Sequence, residues 1–352
     1  LALEDWNYEA IPSLSTQTFL GNPQTMKILF LIILMTVAGV CAPTPDAENQ
    51  NAQNNNRWFF WAVDWHPNKD QFIVGGSNDS FLKLFSSNDY QQLKNYPYKG
   101  TITKTKWHPT KNKVAISVQD GKSKQAILNL DTDERILFDT ITNEGARAIG
   151  WNRSGELLAI GDYEGYLNIF DEKGNALKKV DTKEKSIIGL HWHPDENLIV
   201  AVGENVILYH YETDSLKRIV DRSEDIEVLM LSVAWHPNGK FFVTGDYGIP
   251  ENNYPPLLQY WSYDGEKTKS IDVNKAEIRN IAWSADGDLL ATASDKLRLW
   301  NKDGNLVAEQ ATKNLLWGIG WNKDGSKVAA TDVERKIIVW DRDLNRLKEL
   351  QY

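Results

Sequence analysis

An all-β fold, a seven-bladed β-propeller of four-stranded antiparallel blades, is predicted by three features of the 352-residue chain. Trp65, Trp107, Trp151, Trp192, Trp235, Trp283 and Trp321 recur at gaps of 42, 44, 41, 43, 48 and 38 residues. Each is followed by a turn sequence and then by short apolar runs of strand length. Seven units of about 42 residues need about 294, and residues 57–352 supply 296.

Within each unit the order of elements is the same. A first strand ends on the anchor tryptophan, as in AVDW, TKTKW, AIGW, GLHW, SVAW, NIAW and GIGW. A turn rich in Pro, Gly, Asn and Asp follows (HPNKD, HPTKN, NRSGE, HPDEN, HPNGK, SADGD, NKDGS), the chemistry a tight reversal requires. The second strand is continuously apolar (QFIVGG, KVAISV, LLAIGD, NLIVAVG, FFVTGD, LLATAS, KVAATD), which places it inside the blade. A third strand closes on an aromatic or aliphatic residue: FLKLF, AILNLD, YLNIFD, VILYHY, LLQYWS, KLRLWN and KIIVWD. The fourth is more polar, as in QQLKNY, NALKKV and RLKEL, and so belongs at the solvent edge.

The amino end has another character. Residues 1–25 show no period and read as an upstream extension of the gene model. Met26-Lys27 then opens an apolar run, Ile28–Val40, broken only by Thr36 and Gly39. Thirteen residues are too few for a bilayer that takes about 20, but fit a signal peptide over 26–41. Ala38-Gly39-Val40-Cys41 resembles a lipobox, making Cys41 the expected lipidation site, with Val40 in place of the usual small residue. Residues 42–56 (APTPDAENQNAQNNN) read as a disordered polar tether. This segment implies export to a bacterial cell envelope, lipid-anchored or periplasmic, with secretion as the alternative; the anchor is the sole membrane contact expected.

Residues 57–352 resemble the WD-repeat (WD40-like) family of seven-bladed β-propellers. The third-strand Trp-Asp pair stands at Trp340-Asp341, with relaxed versions at Phe170-Asp171, Leu130-Asp131 and Trp300-Asn301, and the turn aspartate is matched at Asp79 and Asp295. The family's Gly-His pair before the first strand is missing throughout, so its side-chain hydrogen-bond network is expected to be broken and the blades to hold mostly by apolar packing between neighbouring sheets. The resemblance implies a non-enzymatic protein- or peptide-binding scaffold. In the family the residue four before the anchor lines the top face, which here selects Trp61, Thr103, Arg147, Ile188, Leu231, Arg279 and Trp317. Trp and Arg dominate interface energetics, so the expected binding rim is Trp61, Arg147, Arg279 and Trp317, extended by Phe59 and Glu277. Blades one and seven become neighbours when the ring closes, which brings Trp61 and Trp317 together or into the seam. The longest unit adds GDYGIPENNYPPLLQYW, whose Tyr247 and Tyr254 are further binding candidates.

Composition narrows the rest. With 39 Lys+Arg against 48 Asp+Glu the formal charge is −9. Residues 1–56 hold five carboxylates and one lysine, so the remainder keeps −5. A net acidic chain lacks the broad positive field of a nucleic-acid binder, and no nucleic-acid partner is expected. One cysteine excludes an internal disulfide and Cys-based metal sites. His66, His108, His193 and His236 follow four anchors on different blades, too far apart to share an ion, and read as turn caps; His191 and His210 have no partner at ligand spacing. Asp162, Asp246 and Asp332 each lie 11 residues past an anchor, near one face. They motivate the alternative of a metal-assisted hydrolase or lyase; a glycan-binding module using the loop aromatics is a further alternative. The leading expectation is a monomer without cofactor that docks a protein or peptide.

Overall fold

The computed structural model of the chain describes residues 59–77, 82–119, 124–138, 144–220, 228–249, 254–272 and 274–352. The gene-model extension, signal peptide, lipidated Cys41 and tether expected over residues 1–56 lie outside them, as do Asp79 and Pro250.

Among the described residues, 28 strands form seven four-stranded antiparallel sheets, each from four consecutive strands. The blades cover 60–96, 102–137, 146–181, 189–219, 230–271, 280–311 and 316–351. Every inner strand ends on its anchor tryptophan: Phe60–Trp65, Ile102–Trp107, Ala146–Trp151, Gly189–Trp192, Met230–Trp235, Asn280–Trp283 and Leu316–Trp321. Second strands are almost wholly buried, and fourth strands such as Gln92–Tyr96 and Ser215–Ile219 are mostly exposed. The core is divided among the seams between blades. In one, Ile73 and Leu84 of blade 1 pack with Ile102, Trp107 and Val114 of blade 2.

Among the described residues the ring closes without a borrowed strand. Arg346–Gln351 pairs with the third strand of its own blade, and Phe59 exchanges hydrogen bonds with Ser77 inside blade 1. Closure is therefore packing plus a few polar ties between blades 7 and 1: the Trp65 indole donates to Gly320 O (2.9 Å), and Thr331 Oγ1 to Phe60 O (3.0 Å). Gly318 permits that approach, because a Cβ there would collide with Thr331 Oγ1 and crowd the Trp61 carbonyl.

Two repeated devices join the blades. The anchor indole donates to the backbone carbonyl of the residue before the preceding blade's anchor: Trp65 to Gly320, Trp107 to Asp64, Trp151 to Lys106, Trp192 to Gly150 and Trp321 to Ala282, at 2.8–3.2 Å. The Trp235 and Trp283 indoles have no acceptor among the described residues, so the two seams flanking blade 5 lack this tie. The second device is the histidine after the anchor. His66, His108, His193 and His236 cap their own turns with Nδ1 and pack tilted or edge-on against the next anchor at 4.4–4.9 Å between ring centroids. In His108, His193 and His236 the Nε2 side faces a glycine carbonyl of the next blade's turn at 2.9–3.1 Å. The turn-cap reading holds, and the same rings also weld neighbouring blades.

The expectation of blades held by apolar packing is too sparse. Besides these ties, a tryptophan–threonine bond survives inside blade 5 (Trp261 Nε1 to Thr244 Oγ1, 3.0 Å) and blade 6 (Trp300 Nε1 to Thr292 Oγ1, 3.2 Å).

Candidate functional site at the mouth of the central bore

The residues four before the anchors sit where the inner strands break register. In blades 1, 2, 3, 5 and 7 the pairing skips a step beside Trp61, Thr103, Arg147, Leu231 and Trp317. A bulge re-aims the side chain it carries. Arg279 lies just ahead of the shorter inner strand of blade 6 and donates its backbone N–H to Ala293.

The six selected residues form one cluster. Trp61 and Trp317 meet edge to face at 4.5 Å between centroids, and Phe59 lies 5.3 Å from Trp317. The Arg279 guanidinium stands 4.6 Å from the Trp317 ring and 5.8 Å from Trp61; Arg147 stands 6.0 Å from Trp61. Arg147 Nη2 donates across the axis to the Arg279 carbonyl (3.3 Å), and Arg279 Nε pairs with Glu277 (2.9 Å). Blades 1, 3, 6 and 7 thus converge. The cluster is not an exposed rim: Trp317, Arg147, Arg279 and Glu277 are buried, while Trp61 and Phe59 are half-buried. Thr103, Ile188 and Leu231 are buried as well and add no charge.

The electrostatics are unfinished. Nη1 of both arginines and Nε1 of both tryptophans are buried donors with no acceptor among the described residues. Burial first, and the Arg279 charge second, hold the Arg147 pKa down at about 10. Tyr163, absent from the sequence-derived set, is buried beside both arginines; burial pushes its hydroxyl up to about 12 against their pull.

Below the cluster the bore continues as a cavity of about 410 Å³. Ala62, Ala234, Ala282, Gly318 and Gly320 keep it open, and Asp64, Lys104, Lys106, His191 and Asn280 supply its long polar side chains. Alternation along the inner strand of blade 2 explains the lysine pair, since Lys104 and Lys106 face the axis together. His191, set aside as a metal ligand, is on this wall.

The aspartates are not brought together. Asp162 accepts from the backbone of Glu164 and Tyr166, Asp246 from Gly248 and Leu257, and Asp332 from Glu334 and Lys336. Each buried carboxylate caps its own turn, and among the described residues no group of three His, Cys, Asp or Glu is placed to hold a metal. In the blade 5 loop, Ile249 and Tyr254 form an isolated bridge, Tyr247 N–H donates to Leu229 O, and both tyrosines are half-buried.

Comparison with known proteins agrees with this architecture. Residues 105–195 match the model of the anaphase-promoting complex subunit 4 WD40 domain; residues 225–248 and 265–301 match that of the WD domain, G-beta repeat. The chain is 22% identical over 240 residues to human echinoderm microtubule-associated protein-like 2, covering 67% of this chain and 33% of that one. It is 20% identical over 278 residues to rat WD repeat-containing protein 35, covering 73% and 23%. With the frog echinoderm microtubule-associated protein-like 4 it shares 26% over 170 residues, 47% and 18% of the respective lengths. The chain thus spans about a third or less of these relatives. They correct the expected location: they are intracellular eukaryotic proteins, not secreted or bacterial envelope proteins. The pattern behind that expectation is short, since a mostly apolar run of thirteen residues after one lysine is also what a buried strand or helix needs.

Proposed function

Because this chain is a WD40-type seven-bladed β-propeller, we propose that it is a non-enzymatic scaffold that docks a protein or peptide at the mouth of its bore. The observation carrying this reading is the buried Arg147–Arg279 pair with two Nη1 donors unspent beneath the half-buried Phe59 and Trp61. A buried donor without a partner is costly, and an incoming carboxylate satisfies it with charge-assisted bonds. The aromatic rings beside it supply the desolvated apolar contact from which such anchors draw their energy. The partner is thus a segment presenting a carboxylate next to an apolar side chain. Tyr247 and Tyr254 extend the docking face.

Selection of displayed peptides on the full chain tests this. Selected sequences should carry an acidic residue or free carboxyl terminus beside an apolar residue. Arg279→Gln and Trp61→Ala should each weaken binding at least tenfold, about 1.4 kcal/mol or more, in variants whose thermal midpoints show them folded. Peptides without anionic preference, or affinities indifferent to both changes, would overturn the reading.

A further inference from the structure

A second feature of the bore is independent of peptide docking. Four cations cluster along the axis: Lys104 and Lys106 in the cavity, with Arg147 and Arg279 above it. Two carboxylates answer them, and each is already taken. Asp64 pairs with Lys106 (3.3 Å) while also accepting the Trp107 backbone N–H (2.8 Å), and Glu277 pairs with Arg279. Lys104 and Arg147 have no carboxylate partner among the described residues. The Lys104 ammonium reaches across from blade 2 to a single acceptor, Asn280 Oδ1 of blade 6 (2.6 Å), and that amide is fixed by its own bond to the Trp317 carbonyl (2.6 Å). An ammonium has three donors, so two are left facing the cavity. Opposite, His191 Nδ1 accepts from the Trp235 backbone N–H (3.4 Å), which leaves Nε2 as the protonated, donating nitrogen. Leu190, Val233, Ile281 and Ile319 supply an apolar stretch of the wall, beside Thr105 and Ser284.

We propose that the cavity is a binding site for a small organic carboxylate, its head on the Lys104 ammonium and its apolar body along Leu190, Val233, Ile281 and Ile319. A cavity of about 410 Å³ is larger than an inorganic oxyanion fills and falls within the range of small-molecule sites. The unanswered Lys104 charge sets the sign of the ligand, and the apolar wall sets its other half.

The groups facing Lys104 make the site sensitive to pH. Lys106 on its own strand, Arg147 of blade 3, Asp64 of blade 1 and His191 of blade 4 surround it. Burial, then the Lys106 and Arg147 charges, hold Lys104 down at about 7, and burial holds His191 down at about 3. A bound carboxylate favours the charged ammonium and so raises that pKa, and binding at pH 8 must take up a proton.

The probe is hexanoate, with neutral hexanamide of the same shape as its control, titrated calorimetrically into the full chain. Hexanoate should bind at one site, hexanamide at least tenfold more weakly, and Lys104→Met should weaken hexanoate at least tenfold while leaving the affinity of the selected peptides within threefold. Wild-type titrations at pH 8 in two buffers of different ionisation enthalpy should show proton uptake, a readout that needs no variant. Equal binding of the amide, an unchanged Kd in Lys104→Met, or binding without proton uptake would each overturn the proposal. Peptide docking stands or falls on Arg279→Gln and Trp61→Ala, so the two claims fail separately.

Discussion

Four histidines at one repeat position show how much a single side chain contributes here. Each ring accepts turn N–H groups at Nδ1 and packs on the next anchor, an arrangement that needs a neutral imidazole. Burial is the main cause that lowers the pKa of His66 and of His108 below the ordinary 6.5. A lowered folded-state pKa means that the unfolded chain binds more protons, so stability falls as pH drops below 6.5 toward the folded values. His191, at about 3, acts in the same direction. Carboxylates with depressed pKa values lose their contribution only at lower pH, whereas Glu204, which burial raises to about 7, adds stability as pH falls through the same interval. Glu204 is common to both proteins, so the expected outcome is a thermal midpoint of His108→Asn that gains on the wild type as pH falls from 6.5 to 5. Blade 3 already uses that residue, since Asn152 Oδ1 receives the Leu157 N–H of its turn. A difference between the two midpoints that stays constant over this window would contradict the histidine role.

At the scale of the blade, the inner strand with its anchor is the working unit. Trp107 and Trp235 are both buried, but among the described residues only Trp107 has an acceptor for its indole N–H. Replacing either by Phe removes similar packing; replacing Trp107 also removes the indole bond to the Asp64 carbonyl. Trp107→Phe should therefore cost more than Trp235→Phe by about 1 kcal/mol, measured by denaturant unfolding, and equal losses would remove the indole tie from the account. The strands themselves were legible because the repeat multiplies each weak signal by seven. The indole and histidine ties were not, since their partners lie some 40 residues away in backbone atoms that carry no sequence mark. Positions such as Trp61 and Arg147 were reached through the family resemblance. The bulges that turn them inward come from pairing register, and so what read as an open rim is a packed mouth.

For the whole molecule, closure decides which residues meet. Trp61 and Trp317 are 256 positions apart and pack at 4.5 Å because blade 7 abuts blade 1 without a shared strand. The same closure carries Lys104 to Asn280 and Arg147 to Arg279 across the axis. The lysine pair, Asp64 and His191 were hidden in the sequence because each belongs to a strand that looks ordinary by itself; only the ring collects them. The aspartates fail in the converse way. They are equivalent by repeat, but equivalence spreads them around the ring, where each serves its own turn. The central claim concerns one end of this ring, and hydrogen–deuterium exchange of the full chain with and without a selected peptide tests it most directly. The account predicts added protection at residues 59–61, 144–147, 274–279 and 314–317, where four blades converge. Protection confined to the turns at the opposite end of the inner strands, around Pro194 and Pro237, or to the exposed fourth strands would contradict it.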